Sequence, residues 1–229
     1  DSTYKFTVTV FYNNVESEFS NIVSARPYNY TQPAAPANVM VQGINYEGKL
    51  SMYVSWSKNS ESDLHHYNIF RLNSDAGSTA IKVKETTDNF YIDTSSLTLN
   101  KKVSYAVSAI DRGGMVSFLS AYDSDIILDT AFILEPVNNS TVHDRIVFKF
   151  KPVPEAIGYK IFLLSTPLGT EIWQKTIQPS TSGNIEVVYD GEQLIYRRNY
   201  YWKVCAFTKS SSLLNSYTAV KSFYYTYSE

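Results

Sequence analysis

Three histidines, one cysteine and a cluster of aspartates are the residues whose chemistry needs an account first. His65 and His66 are neighbours in "SDLHHYNIFR", a strand-like context that sends adjacent side chains to opposite faces. They are therefore expected not to converge on one metal ion. His143 follows "NNST" in what reads as a turn. Asp123, Asp125 and Asp129 flank "IIL", and a hard cation wants several such oxygens. Their spacing lacks the tight loop of a calcium site, so they read as solvated charge on a strand edge, where acidic residues also discourage stray pairing. Cys205 alternates with Val204 and Ala206 and is expected on the face opposite the core. Lys203 beside it would lower a thiol pKa, yet a plain strand residue is the simpler reading.

Recognisable enzyme motifs are missing. The chain holds no G-x-S-x-G elbow, no H-E-x-x-H and no Gly-rich phosphate loop, and one cysteine excludes both C-x-x-C and an internal disulfide. No catalytic, cofactor-binding or metal-ligating residue is assigned, and no cofactor is expected. Asn29, Asn138 and Asn139 head N-x-[ST] sequons, which matter only in a glycosylating host.

The elements that carry these residues are strands. Nineteen Tyr against nine Gly, with few long apolar runs, suit pleated half-buried surfaces. The opening "YKFTVTV" alternates Tyr4, Phe6, Val8 and Val10 with Lys5, Thr7 and Thr9; "YNNVES" turns, and "FSNIVSA" runs back until Pro27. The pattern recurs at Val103, Tyr105, Val107, Ala109 and again at Tyr200, Trp202, Val204, Ala206. A period of about a hundred residues is too long for a solenoid and fits tandem domains. Between Pro36 and Leu128 lie seven strand-like segments, and seven more follow to the end. No sustained 3.6-residue apolar stripe marks a long helix. A formal net charge of −2 with no basic block argues against nucleic acid as a partner, and no apolar run is long enough to span a membrane.

On these residues the stretch Pro36 to Leu128 resembles a fibronectin type III domain: Trp56 ends its second strand, Tyr67 lies on the third, and "YAVSAIDRGGMVS" supplies the sixth strand, turn and seventh. Residues 129–229 resemble a divergent copy. There Phe150 stands at the Trp position, Tyr159 answers Tyr67, and "LIYRRNYYWKVCA" gives Leu194 and Tyr200 the spacing of the family's tyrosine corner. The resemblance implies that the Tyr200 hydroxyl bonds back to backbone between Leu194 and Arg197. The middle copy has Val103 instead and is expected to hold its corner by packing alone. The expected architecture is all-β, a tandem of seven-stranded sandwiches: 1–31 the last hairpin of a partial domain, 32–128 a complete domain and 129–229 a divergent one. The first five strands of the opening domain are expected upstream, with completion by another chain as the second reading.

"DRGG" sits where some family members carry Arg-Gly-Asp, but in the wrong order, and a Gly pair in a turn has a sufficient structural reason. In "SFYYTY", Phe223, Tyr225 and Tyr227 share one face, with Tyr224 on the other as a candidate contact. Pro33 and Pro36 are expected to make the first joint an extended spacer, and the short second joint is expected to be stiffer through apolar contact of Ile127, Phe132 and Leu134.

The resemblance implies a non-catalytic extracellular or cell-surface protein, secreted or outer-membrane anchored in bacterial style. It would serve as spacer, adhesion or assembly module for other proteins or surface polysaccharide. The alternatives are accessory domains of a larger secreted enzyme, such as a polysaccharide hydrolase, or a subunit of a surface filament assembled through the N-terminal hairpin.

Overall fold

The computed structural model describes residues 2–26, 30–73, 79–179 and 183–228; the sequon at Asn29 and the expected strand stop at Pro27 lie outside them. Every regular element among the described residues is a strand. The opening segment is a hairpin of β1 (Tyr4–Phe6), β2 (Phe11–Tyr12), β3 (Val15–Glu16) and β4 (Val23–Ala25), with β2–β3 at the tip and β1–β4 at the base. Asn13 and Asn14 turn it with φ of 46° and 60°, the left-handed pair that matches the strand twist of a two-residue hairpin. The side chains of Tyr4, Phe6, Val8 and Val10 are all more than half exposed.

The second unit comprises β5 (Ala37–Tyr46), β6 (Lys49–Ser57), β7 (Leu64–Asn73), β8 (Ile81–Thr86), β9 (Phe90–Asp93), β10 (Lys102–Asp111) and β11 (Asp123–Ile126). Two antiparallel sheets, β5-β6-β9 and β11-β10-β7-β8, enclose Val41, Val54, Trp56, Tyr67, Tyr105 and Val107. The third unit comprises β12 (Phe132–Glu135), β13 (Ser140–His143), β14 (Val147–Lys151), β15 (Gly158–Leu164), β16 (Glu171–Ile177), β17 (Ile185–Val188), β18 (Arg198–Phe207), β19 (Ser216–Tyr217) and β20 (Lys221–Thr226). Sheet β12-β14-β17 faces β16-β15-β18, and β18 is flanked by β20 along one half and β19 along the other. Every strand-like segment read from the sequence of these two units contains a strand, although of 115–128 only Asp123–Ile126 is one. The additions are β13 and β19; β13 pairs in parallel with β20, so His143 ends a strand rather than lying in a turn.

One local device recurs in all three units. Val8, Val107 and Val204 each donate their amide to a side-chain oxygen, of Ser20, Ser120 and Thr218, at 2.9–3.0 Å. Those same residues return their own amides to the carbonyls of Val8, Val107 and Val204. Three positions earlier, Ser17 and Ser117 repeat the exchange with Val10 and Ala109. The hydroxyls thus stand in for strand carbonyls where the last strand turns away from its neighbour, and the unpaired amides are satisfied.

The two sandwich cores use matched aromatic pairs. Trp56 meets Tyr67 edge-on at 5.2 Å between centroids, and Phe150 meets Tyr159 in the same way at 5.2 Å. The Tyr hydroxyls reach backbone amides, of Asn59 and Val153 respectively, so each ring is buried with its polar end satisfied. Tyr200 closes its corner as the resemblance implies: its hydroxyl accepts from the Ile195 amide at 2.8 Å and donates to the Ile195 carbonyl at 3.3 Å. Tyr200→Phe is expected to lose about 0.5–1.5 kcal/mol, the net worth of such a bond. Chemical denaturation of the third unit measures it, and parental stability in the mutant would remove the hydroxyl from the account.

The middle corner is not held by packing alone. Asp93, fully buried on β9, accepts from Arg71 of β7 at 2.9 Å and from the Tyr105 hydroxyl of β10 at 2.8 Å. Its other oxygen takes the Ser95 amide and hydroxyl, and Arg71 also donates to the Ser95 carbonyl at 2.8 Å. A buried ion pair thus ties the two sheets where the third unit uses a tyrosine hydroxyl.

Candidate functional site

The residue types with chemistry converge at one place, the junction of the second and third units. Asp125, on edge strand β11, is buried and has four donors: Gly43 N at 2.9 Å, Asn215 Nδ2 at 2.8 Å, Thr208 Oγ1 at 2.6 Å and Ile126 N at 2.8 Å. Two residues before it, Asp123 accepts from Val41 N at 2.7 Å and from Lys209 Nζ at 2.7 Å. Alternation aims both carboxylates at β5, where they meet the amides of residues 41 and 43. Side chains thereby close the gap between the two sheets of the second sandwich.

From the third unit, Asn215 spans the joint, donating to the Gly43 carbonyl at 2.9 Å while its own carbonyl accepts from Asn45 N at 2.7 Å. Lys209 adds a bond to the Val41 carbonyl at 2.9 Å, and Gln42 one to the Leu214 carbonyl at 2.9 Å. β19 then pairs in parallel with β5, Ser216 opposite Asn45 and Tyr217 opposite Tyr46, with the two tyrosine rings 5.5 Å apart. One continuous sheet therefore crosses from sandwich to sandwich. Within the second sandwich, Gly43 is required by the close approach of β5 to β11: a Cβ there would lie 2.5 Å from the Ile126 carbonyl oxygen.

Burial works against the charge of Asp123, but Lys209 and the backbone donors outweigh it and hold the carboxyl below its ordinary range. Asp123 and Asp125 are thus not solvated charge on an edge, whereas Asp129 is exposed as expected and bonds the Thr130 amide. The joint also departs from the apolar contact expected of it. Ile127 is buried in the second core, but Phe132 is mostly exposed under the Lys151 ammonium, and Leu134 is half-buried. Polar groups make the connection together with Ile126 and Leu128, which pack into the third core, and the Tyr46–Tyr217 ring contact.

Other singled-out residues lie apart from this joint. Cys205 does face away from the third core, but the segment around β19 covers it in a small cluster with Phe162 and Leu164. Burial pushes its thiol up to about 12 against the pull of Lys203, which makes it inert. In the 111–114 turn Asp111 caps the Met115 amide, Gly114 has φ +86°, and the Arg112 carbonyl accepts from Arg26 of the first hairpin at 3.4 Å. Asn138 and Asn139 use their side-chain oxygens on Ser222. Phe223 and Tyr225 are buried, Tyr224 faces outward, and Tyr227 lies exposed against Tyr196 and Arg197.

His65 and His66 contradict the expectation set by alternation: their Nδ1 atoms are 2.8 Å apart. Ile110 stands opposite His66 and Asp111 opposite Leu64, so His65 is the extra residue of a bulge and swings toward its neighbour.

No protein-family model matches the chain, and no curated protein does. Solved structures do. The FN1–FN3 domains of chicken CNTN1, a contactin, are 15% identical over 96% of this chain and 76% of that one, with a TM-score of 0.48. A Fn3-like protein from Clostridium thermocellum is 21% identical over 41% of this chain and 92% of its own, with a TM-score of 0.33. A myokine structure is 24% identical over 42% and 97% respectively, with a TM-score of 0.34. No helix among the described residues is long and apolar enough to cross a membrane. Each sandwich sets a three-stranded sheet against a larger one, and the fold of this chain is all-β, a tandem of fibronectin type III-like β-sandwiches.

Proposed function

We propose that the chain is a non-catalytic spacer and assembly module of an extracellular or cell-surface protein, with residues 1–31, 32–128 and 129–229 as its successive domains. Its partners would be other proteins or surface polysaccharide. The joint around Asp125 and Asn215 carries this reading. A transient interdomain contact leaves the relative angle free, whereas this joint has a buried carboxylate and a shared sheet. Such a joint suits a protein that must present a surface in a fixed direction.

The test is Asp125→Ala, which leaves the amide of Gly43 and the donors of Asn215 and Thr208 without their acceptor. About 1–3 kcal/mol of stabilisation at the joint should go, the penalty for stranding buried polar groups. Relaxation measurements should show the second and third units tumbling together in the parent and separately in the variant. Small-angle scattering of the parent should give a radius of gyration well above the ~17 Å of a single globule this long. Independent tumbling in the parent, or a compact particle, would end the spacer reading.

The hairpin bears on the filament alternative. In the second unit the residues equivalent to Tyr4, Phe6, Val8 and Val10 are the buried Val103, Tyr105, Val107 and Ala109, covered by the facing sheet. The same face in the first unit is exposed and fits strands supplied by the same chain or by another.

A further inference from the structure

We propose that His65 and His66 form a surface site for a tetragonal transition-metal ion, Cu(II) above all. The bulge is the device. Regular alternation would separate the two rings across the sheet, but the extra residue brings both Nδ1 atoms to the same side, 2.8 Å apart, with ring centroids at 4.9 Å. Bulges re-aim side chains in this way at sheet ends. His65 is exposed and His66 half-buried, so a solvated ion reaches them without opening the core.

The separation bears on the geometry. Imidazole nitrogens bind such ions at about 2.0–2.1 Å, so two ligands at a right angle are about 2.9 Å apart, while tetrahedral ligands are about 3.3 Å apart. The 2.8 Å separation is that of the hydrogen bond between the rings, close enough for both nitrogens to take adjacent corners of a square once an ion replaces the proton. That arrangement is preferred by Cu(II), and imidazole with Cu(II) stands at the top of the divalent affinity order. Without metal, one Nδ1 proton bridges the two rings. Metal binding displaces that proton, which transfers through water to Nε2 of its own ring, so both rings remain neutral. Water fills the remaining positions on the ion.

The chain has three histidines, which makes the test direct. Cu(II) is titrated into the full chain while imidazole resonances are followed by NMR and nitrogen coupling by EPR. One ion per chain, two coupled nitrogens, and loss of the His65 and His66 signals before that of His143 are expected. His65→Gln and His66→Gln should each weaken binding by about tenfold or more, because chelation is lost, and each should leave one coupled nitrogen. A melt monitored by tryptophan fluorescence confirms that both variants fold. Zn(II), which prefers a tetrahedron, should bind more weakly than Cu(II). Simultaneous broadening of His143, parental affinity in either variant, or Zn(II) binding as tightly as Cu(II) would overturn the site.

Discussion

Replacing Asp93 with alanine should cost the second sandwich about 3–5 kcal/mol, because it leaves the buried Arg71 guanidinium without its counter-ion. The Tyr105 hydroxyl and the Ser95 amide and hydroxyl lose their acceptor in the same step. Burial alone would raise the Asp93 carboxyl, but the Ser95 donors, Tyr105 and Arg71 together outweigh it, and the net direction is downward. A depressed folded-state pKa gives stability that is fully present above the unfolded value, about 3.9, and is lost as pH falls through the folded one. The parent should therefore hold a constant denaturation midpoint near neutrality and lose stability in acid below about pH 4. In Asp93→Asn the Asp93 contribution to that acid slope should vanish, from a lower plateau. An alanine variant within 1 kcal/mol of the parent would show that the ion pair is not what fastens the two sheets.

Trp56→Ala is expected to remove about 3–5 kcal/mol, as large aromatic truncations in cores do. The ring is buried against Tyr67, whose hydroxyl fixes the Asn59 amide, so the cavity would open beside a polar contact that depends on the ring's position. Trp56→Phe should lose much less, because the third sandwich builds the same contact from Phe150 and Tyr159. Denaturant midpoints measure both, with an unchanged slope as the check that only stability has moved. Trp173 and Trp202 belong to the other core and report on it independently. A Phe variant as unstable as the Ala variant would mean that the indole, and not the aromatic pairing, matters at this position.

Period-two alternation was enough to read the strands, because one face of each is covered and one is not. The equivalence of Trp56 with Phe150 and of Tyr67 with Tyr159 was legible through the resemblance to a fibronectin type III domain, and the structure adds that each pair is in ring contact. His65 was not legible. A bulge shifts register by a single residue, and nothing in "LHHYNIF" announces the missing partner across the sheet. Asp125 was misread because the burial of a carboxylate depends on distant donors; Asn215 and Thr208 lie 90 and 83 residues away along the chain. β19 escaped notice because two residues carry no periodicity, and its parallel partner belongs to another sandwich.

The parallel pairing of β19 with β5 has a mechanical consequence. β5 opens the second sandwich, whereas β19 lies near the end of the third, so a pull on the two chain ends drags these strands in opposite directions along their length. Parallel strands loaded this way slide against each other, and their hydrogen bonds bear the force together instead of peeling one by one. The bonds from Asp125, Asn215 and Lys209 across the same seam share the load. Load that reaches this seam meets shear and not unzipping, which makes the joint a latch rather than a hinge.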